Sequence, residues 1–336
     1  MYTCRMRLLI LTIGGVNSAS SRYRIMQYIP SIEKSGIKTT LLEAEELSQK
    51  TTSEITEICK SHSVIFIQKK LFNAKLLNLL SKYSKIIFDL DDAIWTSEKP
   101  RSFLTSLKVR SKFKKTISKC SLVVTGNDFL RNYCEPLSHS RVITVPTVLN
   151  TNHYPKKNHI KKNTITIGWI GSHKNFKYLD SISEALKEIQ SETRCAIKVI
   201  ADKPYFNAQL DIDFQAWDLT REIEYVNSFD IGIMPLLNDE WSQGKCAFKA
   251  IQCMAAGLPV VVSPYGENKN VVRDNLDGFH ATTTSEWIHS LKALIQDTNL
   301  RIALGANARQ RVVASYSLNY AEPILTKFVE KLIIEQ

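Results

Sequence analysis

The stretch GKCAFKAIQCMAAGLPVVVSPYG, residues 244–266, joins a helical pattern directly to an apolar strand. Gly257 is a typical helix stop, and Pro259 opens a run of valines. The spacing therefore predicts a helix over 245–256, followed by a buried strand. A helix that leads straight into a strand of this kind is typical of α/β folds with a parallel sheet.

The predicted helix carries two lysines near its start. At about 100° per residue, Lys245, Lys249, Gln252 and Ala256 form one narrow polar stripe on an otherwise apolar helix. Lysines in the first turns oppose the helix dipole, and an anion bound at the N-terminus removes that conflict. We favour an anion-binding site. The alternative is an ordinary amphipathic helix whose lysines extend into solvent.

Apolar runs alternate with helical stretches on both sides of this segment, which predicts parallel sheets with helices on both faces. The predicted strands are RLLILTI, IKTTLL, SVIFIQ, KIIFDL, SLVVTG and RVITVP in the first half, and TITIGWIG, AIKVIA, DIGIMPL and PVVVS in the second. We predict two Rossmann-like domains, 1–150 and 164–315, joined by a basic linker at 151–163. Their sheets would face a central cleft, and a helix at 316–336 would return to the first domain.

Composition narrows the classes of function. The chain has 44 basic and 33 acidic residues, a net charge of +11, which indicates an anionic partner. Its seven cysteines, Cys4 included, show neither CxxC nor zinc spacing and are interpreted as reduced thiols in a cytoplasmic protein. The apolar run Leu8–Ile13 is too short for a signal peptide. No aromatic series or known module indicates nucleic-acid binding.

Two glycine turns follow predicted strands and precede helix starts. Gly171–Ser172 lies in IGWIGSHKN, and Gly14–Gly15 precedes Arg22 and Arg24 in the first half. Turns of this kind can offer backbone N–H groups to phosphate, and guanidinium groups suit phosphate as well. Neither turn has the G-x-G-x-x-G pattern, and the chain contains no Walker A sequence. A simple strand-to-helix turn is the alternative.

The acidic run FDLDDAIW, residues 88–95, ends another predicted strand. Asp89 and Asp91 resemble the first motif of haloacid-dehalogenase phosphohydrolases, or the Asp-x-Asp of metal-dependent GT-A transferases. Ala93 and the lack of a later acidic pair disfavour the phosphohydrolase, and two successive α/β domains disfavour GT-A. Asp91 and Asp92 are instead interpreted as binding sugar hydroxyls or positioning an acceptor. The structural alternative is a helix cap or an ion pair with Arg22 or Arg24.

The stretch 101–120 contains seven basic residues and no acidic one. Phe103, Leu107, Phe113 and Ile117 can share one broad helical face. Packing of that face on the first sheet is the favoured interpretation. Weak contact of the basic residues at 101–119 with anionic lipid remains open beside it.

The chain resembles a family 4 glycosyltransferase of the GT-B fold, in the subgroup that builds bacterial surface polysaccharides. The resemblance is carried by SRYRIMQYIP, FDLDDAIW, VVTGNDFLRNY, VITVPTVLN, IGWIGS, FDIGIMPL, LDGF and the segment 244–266. It implies a retaining hexosyl- or N-acetylhexosaminyltransferase of lipopolysaccharide or related polysaccharide biosynthesis. The donor, a nucleotide-diphosphate sugar, would bind the second domain. The acceptor, typically lipid-linked, would bind the first, with no metal required.

The resemblance also implies roles for single residues. Gly14, Gly15, Gly171 and Ser172 would lie beside the donor diphosphate, and Lys249 and Lys245 would neutralise it. Gln252 stands where the family usually has the ribose-binding Glu of its E-x7-E motif, and Gly244 replaces the first Glu. These two departures leave a non-catalytic nucleotide-sugar-binding subunit as a rival function. A phosphohydrolase using Asp89 and Asp91 is a more distant one.

Overall fold

The computed structural model describes residues 6–98 and 101–334; Cys4 and Arg5 lie outside them. The chain divides into two compact units. The first unit combines the chain up to Val148 with Gln243–Cys246 and the C-terminal segment from Leu318. The second unit comprises Leu149–Ser242 and Ala247–Ser317. Each unit is built on one six-stranded sheet in which every paired strand is parallel.

The sheet of the first unit has the strand order β2-β1-β3-β4-β5-β6. Its strands are β1 (Arg7–Thr12), β2 (Lys38–Glu43), β3 (Val64–Gln68), β4 (Lys85–Leu90), β5 (Leu122–Thr125) and β6 (Arg141–Thr144). Its helices, in chain order, are α1 (Ala19–Arg24), α2 (Ile29–Lys34), α3 (Ala44–Gln49), α4 (Thr52–Ser61), α5 (Ala74–Tyr83), α6 (Phe103–Ser118) and α7 (Asp128–Cys134). The inner strand β3 is buried along its whole length, because helices cover both faces of a parallel sheet.

The sheet of the second unit has the order β12-β11-β10-β7-β8-β9. Its strands are β7 (Ile165–Ile170), β8 (Cys195–Ala201), β9 (Ile212–Ala216), β10 (Ile231–Met234), β11 (Val260–Val262) and β12 (Gly278–His280). Its helices are α8 (Phe176–Asp180), α9 (Ser183–Glu192), α10 (Glu222–Ser228), α11 (Glu240–Gln243), α12 (Phe248–Ala255), α13 (Asn268–Val271), α14 (Thr284–Gln296) and α15 (Thr298–Ser315). The last helix, α16 (Leu318–Ile334), belongs to the first unit.

All ten predicted strands are present, and two further strands were missed. β9 and β12 are the two edges of the second sheet. β9 has the mixed sequence IDFQA with no buried residue, and β12 is only three residues long. Short or polar strands are typical of sheet edges, since an exposed apolar edge promotes aggregation. Such strands lack the apolar run that marks an inner strand.

The stretch 151–163, predicted as a linker, consists of a short 3-10 turn and extended chain. It is part of the second unit and bonds to other residues of that unit. The Lys157 N–H donates to the Ala256 carbonyl at 2.7 Å, His159 Nε2 lies 2.9 Å from the Gly257 carbonyl oxygen, and the Lys162 ammonium pairs with Asp230 at 2.7 Å. Lys157, His159 and Lys162 therefore have partners within the second unit.

Candidate functional site

The aspartate cluster (Asp89, Asp91 and Asp92) lies at the carboxyl end of β4 in the first unit. Asp89 is fully buried and pairs with Arg24, which is 2% exposed. Arg24 donates from Nε to both oxygens of Asp89 at 3.2 Å, and from Nη1 to the Val145 carbonyl at 2.6 Å. Burial alone would lower the pKa of Arg24, but the Asp89 carboxylate raises it above its ordinary value. This pair is structural: Arg24 is not placed to bind phosphate or acceptor, and Asp89 is not placed to act as a nucleophile.

Asp91 and Asp92 are held by a lysine that the sequence analysis did not single out. The Lys69 ammonium lies 2.7 Å from a carboxylate oxygen of each. Ser20 donates to both oxygens of Asp91, at 2.9 and 3.1 Å, and the Lys245 ammonium lies 3.3 Å from Asp92. Because Arg24 pairs with Asp89, the three carboxylates of the aspartate cluster are matched by three cations: Arg24, Lys69 and Lys245.

The two lysines keep Asp92 ionised. Burial alone would raise the pKa of Asp92, but Lys245 and Lys69 together hold it well below its ordinary range. Burial would likewise lower the pKa of Lys69, and Asp91 and Asp92 raise it above its ordinary value instead. A carboxylate with a low pKa is a weak proton acceptor but a strong fixed hydrogen-bond acceptor. Asp92 is suited to binding a hydroxyl group, not to removing a proton from it.

A four-residue stretch, the docked segment (Gln243–Cys246), brings Lys245 to this cluster. Asn127 donates its side-chain amide to the carbonyls of Gln243 and Lys245, at 3.4 and 3.2 Å, and the Cys246 thiol donates to the Asp91 carbonyl at 3.3 Å. A Cβ at Gly244 would lie 2.5 Å from the Ala93 nitrogen. Glycine is therefore required at 244 because any side chain would collide with the backbone of Ala93. A donor-binding role for Gly244 stays a prediction.

Helix α12 begins at Phe248, not at Lys245, so the predicted stripe of two lysines on one helix is wrong. Ala247, just before the helix, has a φ of +56°, in the left-handed region that L-residues rarely adopt. This turn ends the docked segment and starts the helix in a new direction. Lys245 belongs to the first unit, where it pairs with Asp92, and Lys249 belongs to the second.

Lys249 crosses the glycine turn (Gly171–Ser172) at the end of β7. A Cβ at Gly171 would lie 2.5 Å from Lys249 Cε and 2.6 Å from the Trp169 ring, so only glycine fits beneath the lysine. The Lys249 ammonium lies 5.3 Å from the centroid of the buried Trp169 ring, a cation–π distance. β7 pairs with β8 on one side and β10 on the other, so the chain reverses direction across the sheet here. Ligands of open α/β sheets bind at the carboxyl ends of strands at such a switch point.

The amide groups that follow the glycine turn are already hydrogen-bonded. The His173 N–H donates to the Asp202 carboxylate at 2.6 Å, and Ser172 Oγ accepts from the Lys174 N–H at 3.4 Å. His173 Nδ1 also lies 2.5 Å from Asp202. Hydrogen bonds from His173 lower the pKa of Asp202 despite the opposing effect of burial. Both amides therefore have partners within the second unit.

Three other predicted donor or phosphate residues have contacts of their own. The Gly15 N–H donates to Glu43 at 3.0 Å, and Arg22 Nη1 donates to the Val16 carbonyl at 2.7 Å. Gln252 is 2% exposed, and its amide donates to the Tyr154 hydroxyl at 3.3 Å. Gly14 lies in the turn beside Gly15, where a Cβ would be 3.7 Å from that of Ser18. Donor or acceptor roles for Gly14, Gly15, Arg22 and Gln252 stay predictions.

Sequence reasoning missed Lys69 and the anchoring role of Asn127. Lys69 follows β3 and has a φ of +49°. Nothing in the sequence QKKLFN indicates this left-handed conformation. Asn127 is the N-cap of α7, where its Oδ1 accepts from the Leu130 N–H at 2.9 Å, and its amide also reaches the docked segment. A chain segment far away in sequence supplies that second contact, so local sequence could not show it.

Within residues 6–98 and 101–334, the six cysteines are free thiols, and all but Cys195 are buried. No three His, Cys, Asp or Glu side chains in these ranges are arranged to hold a metal ion. Within the same part of the chain, none of the helices combines the length and the hydrophobicity needed to cross a bilayer.

Residues 164–297 match the family model described as glycosyl transferases group 1. Sucrose-phosphate synthase from Thermosynechococcus elongatus has a similar fold, with a TM-score of 0.74 and 11% identity over 98% of this chain and 99% of that one. HepE of Anabaena, solved in complex with UDP and glucose, gives a TM-score of 0.70 at 14% identity, over 97% and 100% of the two chains.

A glycosyltransferase from Rickettsia africae gives a TM-score of 0.71 at 14% identity, over 97% of this chain and 98% of that one. No curated protein sequence matches the chain. Identities of 11–14% establish the fold alone. The α/β architecture of two parallel sheets is that of the GT-B glycosyltransferases, as predicted, and residues 164–297 are similar to a glycosyltransferase domain.

Proposed function

We propose that this protein is a retaining glycosyltransferase that takes a hexosyl or N-acetylhexosaminyl group from a nucleotide-diphosphate sugar. The acceptor is a lipid-linked glycan of bacterial surface polysaccharide, such as O-antigen, capsule or exopolysaccharide. The observation that carries the proposal is Lys249 lying over Gly171 at the switch point of the second sheet. An ammonium group there can meet the diphosphate of a donor, and the turn beneath it has no side chain to exclude one.

The proposed chemistry is departure of a nucleoside diphosphate from the donor sugar. Negative charge develops on the diphosphate as the glycosidic bond breaks, so a fixed cation stabilises the transition state more than the ground state. Lys249 supplies that cation, and Ser172 lies next to the glycine that makes room for it. This arrangement requires no divalent metal. UDP-sugars are the first donors to test, since HepE was solved in complex with UDP and glucose.

The first unit would hold the acceptor. Asp92, kept ionised by Lys69 and Lys245, is a fixed acceptor of hydrogen bonds from sugar hydroxyls. Asp91 is held on both oxygens by Ser20 and by Lys69, which gives it a positioning role behind Asp92. Lys245 then acts through Asp92. We place the protein in the cytoplasm, in weak peripheral contact with the inner face of the membrane where lipid-linked acceptors reside.

A non-catalytic nucleotide-sugar-binding subunit is the second candidate function. Two observations favour it: Gly244 packs on Ala93 with no room for a glutamate, and Gln252 is buried against Tyr154. Neither position of the E-x7-E motif then offers a carboxylate to the donor. Such a subunit would bind nucleotide sugar tightly without turning it over.

The deciding experiment combines a substrate panel with one pair of variants. Wild-type protein is titrated with nucleotide sugars, and release of nucleoside diphosphate in the presence of acceptor lipid is measured with and without EDTA. We expect metal-independent release, and we expect Lys249→Met to lower it at least about 100-fold, roughly 3 kcal/mol of lost transition-state stabilisation. Lys187→Met, which removes an exposed lysine of α9, is the matched control and should leave turnover unchanged.

Each other outcome assigns the protein differently. Tight donor binding without turnover supports the non-catalytic subunit. EDTA-sensitive release indicates a metal-dependent reaction. Equal turnover in Lys249→Met and Lys187→Met contradicts the assignment of Lys249 to the diphosphate.

A further inference from the structure

The histidine that follows the glycine turn is held at two points by one carboxylate. The backbone N–H of His173 donates to Asp202 Oδ1 at 2.6 Å, and its ring nitrogen Nδ1 lies 2.5 Å from Oδ2 of the same side chain. Asp202 directly follows β8, in which Ile200 pairs with Ile170 of β7. The histidine and the aspartate therefore stand beyond the carboxyl ends of two neighbouring strands.

Asp202 decides which ring nitrogen of His173 carries a hydrogen. Burial alone would raise the pKa of Asp202, but hydrogen bonds from His173 lower it, so the carboxylate is ionised and can only accept. Nδ1 is therefore the donor. Nε2 has no hydrogen-bond partner in the part of the chain that the structure describes, and 31% of the His173 side chain is exposed. This second nitrogen is available to a ligand.

The contact with Asp202 does not by itself require a histidine. An asparagine could donate to the same carboxylate oxygen, because its side-chain amide lies about where Nδ1 does. What only the imidazole adds is Nε2, on the side of the ring away from Asp202. With hydrogen on both nitrogens the ring is a cation, and a carboxylate on Nδ1 orients it and balances its charge.

His173 lies near the cation of the proposed donor site. It is two residues beyond Gly171, so their Cα atoms are at most about 7 Å apart. Lys249 Cε passes 2.5 Å from the position of a Cβ on Gly171. An anion that meets Lys249 at the switch point is therefore within reach of a side chain at 173. A diphosphate has several oxygens that accept hydrogen bonds, enough for both groups.

We propose that His173 is a further catalytic residue, whose Nε2–H donates to a non-bridging oxygen of the donor diphosphate. The ring takes its second proton from solvent and keeps it, and no covalent bond to the histidine forms or breaks. The hydrogen bond strengthens as charge develops on the departing diphosphate. Asp202 touches no substrate and is a positioning residue. The inference rests on the proposed function for the reaction, and adds a second donor beside Lys249.

One pair of variants isolates the contribution of Nε2. His173→Asn keeps a donor for Asp202 and has no atom at the position of Nε2. His289→Asn is the control, since His289 is an exposed histidine of α14 in the same unit. Each protein is titrated with UDP, GDP and dTDP by calorimetry. We expect His173→Asn to bind the preferred diphosphate about tenfold more weakly, with an unchanged melting temperature, and His289→Asn to match the wild type.

Nuclear magnetic resonance of protein labelled with ¹⁵N in histidine reports the two ring nitrogens separately. With the diphosphate bound, the His173 ring should carry hydrogen on both, and its signals are identified by their loss in His173→Asn. In Asp202→Asn the bound complex should lack one of these hydrogens, a change that a purely structural aspartate would not cause. A bound complex of the wild type in which Nε2 carries no hydrogen would contradict the inference.

The turnover assay separates failure of this inference from failure of the proposed reaction. If nucleotide sugars bind and are never turned over, the proposed reaction fails, while weaker diphosphate binding by His173→Asn still supports the contact. If the wild type releases nucleoside diphosphate, His173→Asn should lower kcat at least about tenfold. Equal diphosphate affinity in the wild type and His173→Asn, or no binding of any of the three diphosphates, would overturn the inference.

Discussion

Removing the Lys69 side chain should destabilise the first unit by about 3 kcal/mol. At 2.7 Å and an effective dielectric constant of about 20, each of its ion pairs with Asp91 and Asp92 has a Coulomb energy of about 6 kcal/mol. Desolvation of the three charges offsets most of this, and breaking a buried pair typically costs about 3–5 kcal/mol. The lower end applies because the two carboxylates keep 13% and 21% of their side-chain surface exposed, and Lys245 still neutralises Asp92.

Three single variants separate the effect of the Lys69 charge on stability from the effect of its left-handed backbone. Lys69→Ala removes both ion pairs and should lower the melting temperature of the first unit by about 6–12 °C. Lys69→Gly removes the same charge but relieves the left-handed φ of +49°, so it should be more stable than Lys69→Ala by about 1 kcal/mol. Lys70→Ala is the control, because Lys70 pairs with the exposed Glu45 and surface pairs contribute at most about 1 kcal/mol.

The assay must report on one unit, since a chain of two units need not unfold in a single step. Hydrogen exchange of peptides covering β3, β4 and Asp91–Asp92 gives that local measurement, together with thermal unfolding of the whole chain. Adding Asp91→Asn to Lys69→Ala should restore part of the protection, because it removes the carboxylate whose ion pair Lys69→Ala breaks, whereas Asp92 keeps Lys245. If Lys69→Ala loses no more stability than Lys70→Ala, the cluster is not held by Lys69 and the reasoning fails.

Three further predictions concern the same regions. Gly244→Ala should destabilise the first unit by about 1–3 kcal/mol, measured by urea unfolding, since its Cβ would lie 2.5 Å from the Ala93 nitrogen. Gly171→Ala should weaken nucleotide-sugar binding in calorimetric titration by displacing Lys249; unchanged affinity would count against the donor site. The pKa of Asp92 is lower in the folded protein than in the unfolded protein. Below pH about 4, the folded protein therefore binds fewer protons at this residue than the unfolded protein does. Its contribution to stability should be present above pH about 4 and decline as the pH falls further, and Asp92→Asn should show a flatter acid-unfolding curve.

The aspartate run FDLDD shows which features of the site could be predicted from the sequence and which could not. FDLDD at the end of an apolar run correctly indicated a strand that delivers carboxylates to a sheet edge. The pairing of Asp89 with Arg24 was among the structural alternatives. The neutralising role of Lys69 was not, because Lys69 reaches Asp91 and Asp92 only when β3 and β4 lie side by side and its own backbone turns left-handed.

In the segment 244–266, the prediction from sequence extended the helix too far. Its residue types indicated one continuous amphipathic helix from Lys245, and helical periodicity alone gives no reason to interrupt it. The interruption comes from contacts with residues far away in sequence: Asn127 binds the carbonyls of the docked segment, and Gly244 packs on Ala93. Those contacts assign Lys245 to the first unit and leave Lys249 in the first turn of α12 in the second.

The sequence by itself determined the α/β class, ten of the twelve strands that the structure describes, and the two-part organisation, because these depend on local periodicity and on where glycine and proline stop an element. Only the tertiary structure decided which charges meet. The ion pair Lys69–Asp92, the space beneath Lys249 and the exposure of Phe103 at the start of α6 depend on distances between segments, which local sequence patterns do not encode. Charge and burial are properties of neighbours in space, and folding chooses those neighbours.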